Sequence, residues 1–280
     1  MADDQNTGRV SNFYDSHPIN EGQIIDKLTA NSVDLDSLTQ TILQDYDQDH
    51  YGGTQANDAL AELAGVDRGK NVLDICCGLG GPARYLAQNY GCRVLGIDMN
   101  DGRIEGAKRL TRMVGLDDLV DFQCLNALEL PLEDQLFDLV VSQEGFCHIP
   151  QKQRLIQQCF RVLKPGGHLA FTDVLTTGKT TDATRKKLED QMAFFELQSL
   201  DEYQEKFSAA GLEPIKFVDL AQDWRTILVD RLAMYRGLKD QTIKRFGQEH
   251  FARWDSAYSF FVGLYDRGEL AGGRFLARRG

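Results

Sequence analysis

The residues of this chain equipped for chemistry stand where apolar runs end. Asp74 closes on the end of the run 71–75, and residues 76–81, Cys-Cys-Gly-Leu-Gly-Gly, are nearly bare of side chains. Glycines let a ligand approach the main chain, and the helix after the turn offers free N–H groups. Tight strand-to-helix turns need glycine in any case, so the turn gains meaning only with its neighbours. The next apolar run, 93–99, ends with Asp98, where a carboxylate can accept two hydrogen bonds from ribose hydroxyls and repels a 2′-phosphate. An acid beside the turn disfavours a pyrophosphate and suits a cationic group. That pair of acids points to a nucleoside carrying an amino-acid end, and S-adenosylmethionine fits better than a dinucleotide.

Further polar residues collect at the later strand ends. Glu144 and His148 follow the run 136–146, as an electrostatic partner for a cationic acceptor and as a base or acceptor ligand. The alternatives are a solvated carboxylate and a helix-capping or loop-bonded imidazole. Asp173, at the end of the run 168–175, faces an acceptor or caps the segment after the strand. Upstream, "DQDHYGG" (47–53) offers His50 as a lid residue, and Tyr46, Tyr51 and Trp224 offer an aromatic face for an ammonium, or simply core.

Those residues need a frame, and the chain alternates strand and helix to supply one. Strands are expected at 71–75, 93–99, 120–127, 136–146, 168–175 and 214–220, with a last one in "GGRFLARR", and helical periodicity fills the gaps. Strands apolar nearly throughout imply a parallel sheet covered by helices on both faces. Residues 1 to about 20 read as loosely ordered apart from the pair Phe13-Tyr14, and 21–56 carry short helical patterns. Leu228, Leu232, Tyr235 and Leu238, then Trp254, Tyr258 and Phe261, recur at helical spacing in an insertion at 222–265.

Composition narrows the function classes. The 280 residues carry a formal net charge of −11, which argues against nucleic acid, whose phosphates need clustered Lys and Arg. Six cysteines without a C-x-x-C pair read as buried thiols in a reducing, cytoplasmic setting, and no metal site is expected. No stretch has the length of a membrane span or the apolar core of a signal peptide.

Taken together, "VLDICCGLGGPARYLA", Asp98, "LNALELPLEDQLFDLVVSQ" and "RVLKPGGHLAFTDVL" resemble the class I S-adenosylmethionine-dependent methyltransferases. "DQDHYGG", "SQEGFCHIPQK" and "FTDVL" resemble the sarcosine/dimethylglycine methyltransferase-like group of small-molecule enzymes within it. The resemblance implies an α/β, Rossmann-like, seven-stranded and mostly parallel sheet with helices on both faces, an N-terminal helical cap and a helical lid insertion. It divides the chain into a cap at 1–55, a cofactor-binding core at 56–221 and 266–280, and an acceptor-site lid at 222–265. It also implies that Asp74, Gly78 and Gly80 line the methionine part of the cofactor and that Met99 lies against the adenine. Asn126 and Ala127 would meet the ring, and Gln143 would meet the amino group. Two departures are visible: Cys76 replaces a frequent glycine, and Asn126 replaces a frequent Asp. The expected activity is methyl transfer to an amine nitrogen of a small molecule, with a phenol, quinone or terpenoid oxygen or carbon as the rival acceptor. A homodimer is compatible with the sequence, and binding of the cofactor without turnover is the reading from another class.

Overall fold

The computed structural model describes residues 2–15 and 19–280. The chain runs α1 (Ala2–Asp15), α2 (Glu21–Ala30), α3 (Gln40–Leu43), α4 (Gly53–Ala64), β1 (Asn71–Ile75), α5 (Gly81–Tyr90), β2 (Arg93–Asp98) and α6 (Asp101–Met113). It continues through β3 (Val120–Cys124), β4 (Phe137–Gln143), α7 (Lys152–Val162), β5 (Leu163–Thr176), α8 (Asp182–Met192), α9 (Leu200–Ala210) and β6 (Leu212–Asp219). The last elements are α10 (Ala221–Gly237), α11 (Lys239–Phe246), α12 (Gln248–Asp266) and β7 (Leu270–Arg279). Residues 2–15, expected to be loosely ordered, are therefore helical, whereas residues 1 and 16–18 of that expectation lie outside the described residues.

The seven strands form one sheet in the order β3-β2-β1-β4-β5-β7-β6. Pairing is parallel from β3 through β5, and β7 runs antiparallel to both β5 and β6. Strand order reverses between β1 and β4, the place where open α/β sheets bind their ligands. Val72, Leu73, Val140 and Val141 are buried within this central pair because helices cover both faces. Leu60, Ala83, Ile104 and their neighbours from α4, α5 and α6 pack on one face, while Leu155, Cys159 and Phe207 from α7 and α9 pack on the other.

Two backbone features lift the chain out of the sheet toward the site. Cys76, just beyond β1, has φ +60°, and Glu144, just beyond β4, has φ +48°. Side chains seldom adopt this left-handed conformation, and surroundings that over-determine the backbone must hold it. At Cys76 the glycine common to the resembling family is thus explained by the backbone. The cysteine is accommodated by a glycine elsewhere: a Cβ on Gly145 would lie 2.5 Å from Cys76 Cβ. After Gly80, Pro82 stands in the first turn of α5, where its fixed φ favours the helix and its missing N–H costs nothing.

Candidate active site

Above the β1–β4 divergence lies a cavity of about 650 Å³, walled by the strand ends, by residues 45–51, by α1 and α2, and by α10 and α11. Asp74 reaches it with only 3 % of its surface exposed, and its Oδ2 has no hydrogen-bond partner among the described residues. Burial, and then the nearby Asp98, push the Asp74 carboxyl up to about 8. Gln143, at the end of β4, donates through Nε2 to Asn57 Oδ1 at 2.6 Å and leaves its buried Oε1 unpartnered among the described residues. A buried carboxyl oxygen and a buried amide oxygen without partners are costly in a folded interior, and a ligand cation would both complete them and favour the ionised carboxylate.

The far end of the cavity offers acceptors and a donor together. Asp98 braces the glycine turn, accepting from Gly78 N–H at 3.0 Å through Oδ2 and from Asn100 N–H at 2.9 Å through Oδ1. Each oxygen retains a second lone-pair site for a hydroxyl donor. Asn126 turns its Oδ1 back onto the Leu128 N–H at 2.9 Å, the reach of an Asx turn. That bond leaves the adjacent Ala127 N–H without a partner among the described residues. Met99, 37 % exposed, flanks this end.

Residues 46–51 cross the cavity as a strap. Its anchor is a fully buried ion pair, Arg84 Nη2 to Asp47 Oδ2 at 2.8 Å, with Arg84 also donating to Thr111 Oγ1 and the Ala107 carbonyl. A Cβ on Gly81 would sit 2.3 Å from the Asp47 carbonyl oxygen, so the third glycine of the turn is where the strap passes. Gly80 serves packing instead: its missing Cβ would lie 2.4 Å from the Phe122 ring, and it is not on the cavity wall. His50 is on the wall. Burial lowers its imidazole to about 4, and its single N–H serves Gln48 Oε1 at 3.0 Å or the Tyr51 carbonyl at 3.3 Å. Tyr51 N–H donates to Glu144 Oε2 at 2.7 Å, and Thr172 Oγ1 donates to Glu144 Oε1 at 2.6 Å. Burial pushes Glu144 up to about 7 against those two bonds. Arg231 of α10, also on the cavity wall, ties the strap down, donating to the Asp49 and His50 carbonyls with its guanidinium 4.9 Å from the Tyr51 ring centre.

The remaining wall carries the most reactive arrangement. His148 Nδ1 lies 3.0 Å from the Ala193 carbonyl, which can only accept, so Nδ1 carries the proton and Nε2 presents the basic lone pair. The Tyr14 hydroxyl, 2.8 Å away, then donates to Nε2. Burial raises the Tyr14 phenol, so it remains protonated in this state. Phe13 and Phe194 pack on the imidazole, with ring centres 6.1 and 5.1 Å distant. Beneath, Lys152 is buried and donates to the Ile149 and Phe195 carbonyls, tying the loop that holds His148 to the one that holds Ala193.

Of the residues singled out in the sequence, Asp74, Gly78, Asp98, Met99, Asn126, Ala127, Gln143, Glu144, His148, His50, Tyr46 and Tyr51 meet on this one cavity. Asp173 and Trp224, like Gly80, do not. Asp173 lies under the His148 loop, accepting from Tyr203 Oη at 2.6 Å and Cys147 N–H at 2.9 Å. Trp224 faces β7, where a Cβ on Gly272 would be 2.2 Å from its ring, and meets Tyr51 edge-on at 5.1 Å. Sequence reasoning misses Tyr14, Arg231 and Lys152, and also Arg103, which lines the cavity with its guanidinium 4.7 Å from the Tyr14 ring centre and bonded to Asp49 Oδ2 at 2.7 Å. The Phe13-Tyr14 pair is the one available signal, since two adjacent aromatics in a polar segment ask for a burial site.

A switch-point cavity with an acid at each of its first two strand ends is the kind of site in which α/β folds bind nucleosides. Comparison with known proteins specifies the family. Residues 73–171 match the family model described as a methyltransferase domain. The chain is 34% identical over 202 residues to 27-O-demethylrifamycin SV methyltransferase of Amycolatopsis mediterranei, across 71% of this chain and 74% of that one. It is 28% identical over 216 residues to the sarcosine/dimethylglycine N-methyltransferase of Halorhodospira halochloris, across 75% of each. A Galdieria sulphuraria structure provisionally assigned as a sarcosine dimethylglycine methyltransferase superposes with a TM-score of 0.76 at 20% identity, covering 93% of this chain and 98% of that one. The chain belongs to the class I S-adenosylmethionine-dependent methyltransferases, and it is an enzyme acting on a small molecule. Its cofactor is S-adenosylmethionine, and the two unpartnered oxygens at one end of the cavity and the open N–H at the other fit that molecule.

Proposed function

We propose that the chain methylates a hydroxyl oxygen of an apolar small molecule, with Tyr14 and His148 taking up the proton. When bound, the cofactor supplies a methyl group on a sulfonium leaving group. Asp74 and the Gln143 Oε1 would hold its ammonium, Asp98 its ribose, and Met99, Asn126 and Ala127 its adenine, with Gly78 allowing close approach. The strap residue His50 and the Tyr46 ring cover it, and Glu144 holds the strap down through Tyr51.

The observation that carries the reading is the fixed tautomer of His148 at the cavity wall. A hydroxyl becomes a competent nucleophile only as it loses its proton, and a base positioned for that proton contributes typically about 10²–10⁴-fold. An acceptor hydroxyl donating to Tyr14 Oη would pass its proton on as the phenol proton moves to His148 Nε2; direct donation to Nε2 after Tyr14 swings aside is the shorter route. Alignment of the oxygen with the methyl group supplies the rest of the catalysis. The resemblance to the 27-O-demethylrifamycin enzyme supports an oxygen acceptor.

The amine acceptor expected from the sequence has less support at the site itself. Both Glu144 oxygens are engaged, the Tyr51 face is taken by Arg231, and Trp224 and Asp173 are off the wall. Matched phenols and benzylamines, offered with labelled cofactor, decide between them. Transfer to the phenols is expected, with kcat at least about 100-fold lower in His148→Asn and a smaller loss in Tyr14→Phe, while both variants keep cofactor affinity. Transfer to benzylamines or dimethylglycine alone, or an undiminished rate in His148→Asn, would overturn the assignment.

A further inference from the structure

The cavity does not stop at the reacting groups. Its wall continues along α10 and α11 to Met234, Leu238 and Phe246, which are 61 %, 38 % and 41 % exposed. Large apolar side chains exposed to this degree are few among the described residues, and these three lie together on the rim of one opening. Across it stands α2, whose Gln23 and Lys27 line the same cavity, and Arg245 of α11 pairs with Asp26 of α2 at 2.6 Å beside the gap. Within, Phe13, Tyr235 and Tyr258 extend the apolar lining from the rim toward His148. Isolated surface apolar residues need no explanation; a run of them continuous with a substrate cavity marks a binding surface.

We propose that the α10–α11 rim is a distal subsite for the acceptor, which takes an apolar body longer than the enclosed chamber. This rests on the small-molecule methyltransferase reading but not on the identity of the acceptor atom. The chamber must hold the cofactor together with the acceptor's reacting end, so a bulky acceptor has to leave through the opening. There the exposed Met234, Leu238 and Phe246 would cover its apolar surface. Met234 suits such a task, because an unbranched thioether adapts to varied shapes. The occupant is an uncharged alkyl, polycyclic or macrocyclic body bearing one reactive group; small zwitterions such as dimethylglycine gain nothing from the rim.

Calorimetric binding of a 4-alkylphenol series, ethyl through octyl, to the enzyme loaded with S-adenosylhomocysteine, which has no methyl group to give, tests this without turnover. Half-burial of each added methylene predicts about a twofold gain in affinity per carbon. In Leu238→Asp/Phe246→Asp the dependence on chain length should flatten, with cofactor affinity reporting that the variant is folded, and Met234→Leu should retain the dependence. A flat series in the native enzyme, or an unchanged slope in the double variant, overturns the subsite. Failure of the hydroxyl assignment would show separately, as tight binding of long phenols without their methylation.

Discussion

Asp74→Asn should stabilise the cofactor-free enzyme while impairing its use. In the native fold the carboxyl is pushed from 3.8 up to about 8 by burial and by Asp98. Because the folded-state value lies above the unfolded one, the native protein holds a proton that the unfolded chain releases. The associated stability is fully present below the unfolded value and declines as pH rises toward the folded one. A displacement of about four pH units at about 1.4 kcal/mol each sets the full loss at about 6 kcal/mol. Between pH 5 and 8 about 4 kcal/mol of that should be visible, or roughly 10 °C of Tm for a chain of this size. The amide in the variant does not titrate, so the native-minus-variant difference isolates this one group from every other ionisation. Thermal unfolding of both proteins at pH 5, 6, 7 and 8 reads it directly. The variant's advantage should widen with pH, and saturating S-adenosylmethionine should narrow it by giving the carboxylate a cation. Two parallel profiles would refute the claim that Asp74 is a buried acid awaiting its partner.

Two further substitutions probe how the site is held. Gly145→Ala should destabilise the protein by about 1–3 kcal/mol, because the new methyl falls 2.5 Å from Cys76 Cβ and 2.8 Å from Ser142 Oγ, and Cys76→Gly in the same chain should recover the part due to Cys76 in a double-mutant unfolding cycle. Lys152→Met keeps the apolar stem but removes the bonds to the Ile149 and Phe195 carbonyls that join the two loops. Steady-state kinetics should show kcat reduced about tenfold or more, as sub-ångström displacement of His148 implies, with the cofactor dissociation constant unchanged; equal losses in both would point to general damage.

The reach of sequence reading followed the range of the interactions. Asp74, the glycine turn and Asp98 were legible because strand, turn and helix N-terminus succeed one another along the chain, and local patterns specify all three. Tyr14 meets His148 across a separation of 134 residues, and Arg231 reaches His50 across 181, so no window of sequence contains either pair. Asp173 illustrates a different obstacle. Its neighbour Thr172 points toward the cavity side and bonds Glu144, so the alternation of a strand sends Asp173 to the opposite face and to Tyr203. Residue type at the end of β5 was correctly suggestive; the parity of the strand decided which of two adjacent polar residues met the site. Trp224 fell in the first turn of α10, where rotation of the helix turns it onto Gly272.

The helices that frame the opening enter the fold at an unusual junction. Residues 220–269 link β6 to β7, antiparallel neighbours that a tight hairpin would suffice to join. Lengthening such a link adds only a slowly growing entropic cost, and the ladder on either side keeps its register whatever is spliced between. The segment can therefore vary in length and sequence without disturbing the sheet, and it is tied to the strap by the Arg231 guanidinium on the Asp49 and His50 carbonyls and by the Trp224 ring against Tyr51.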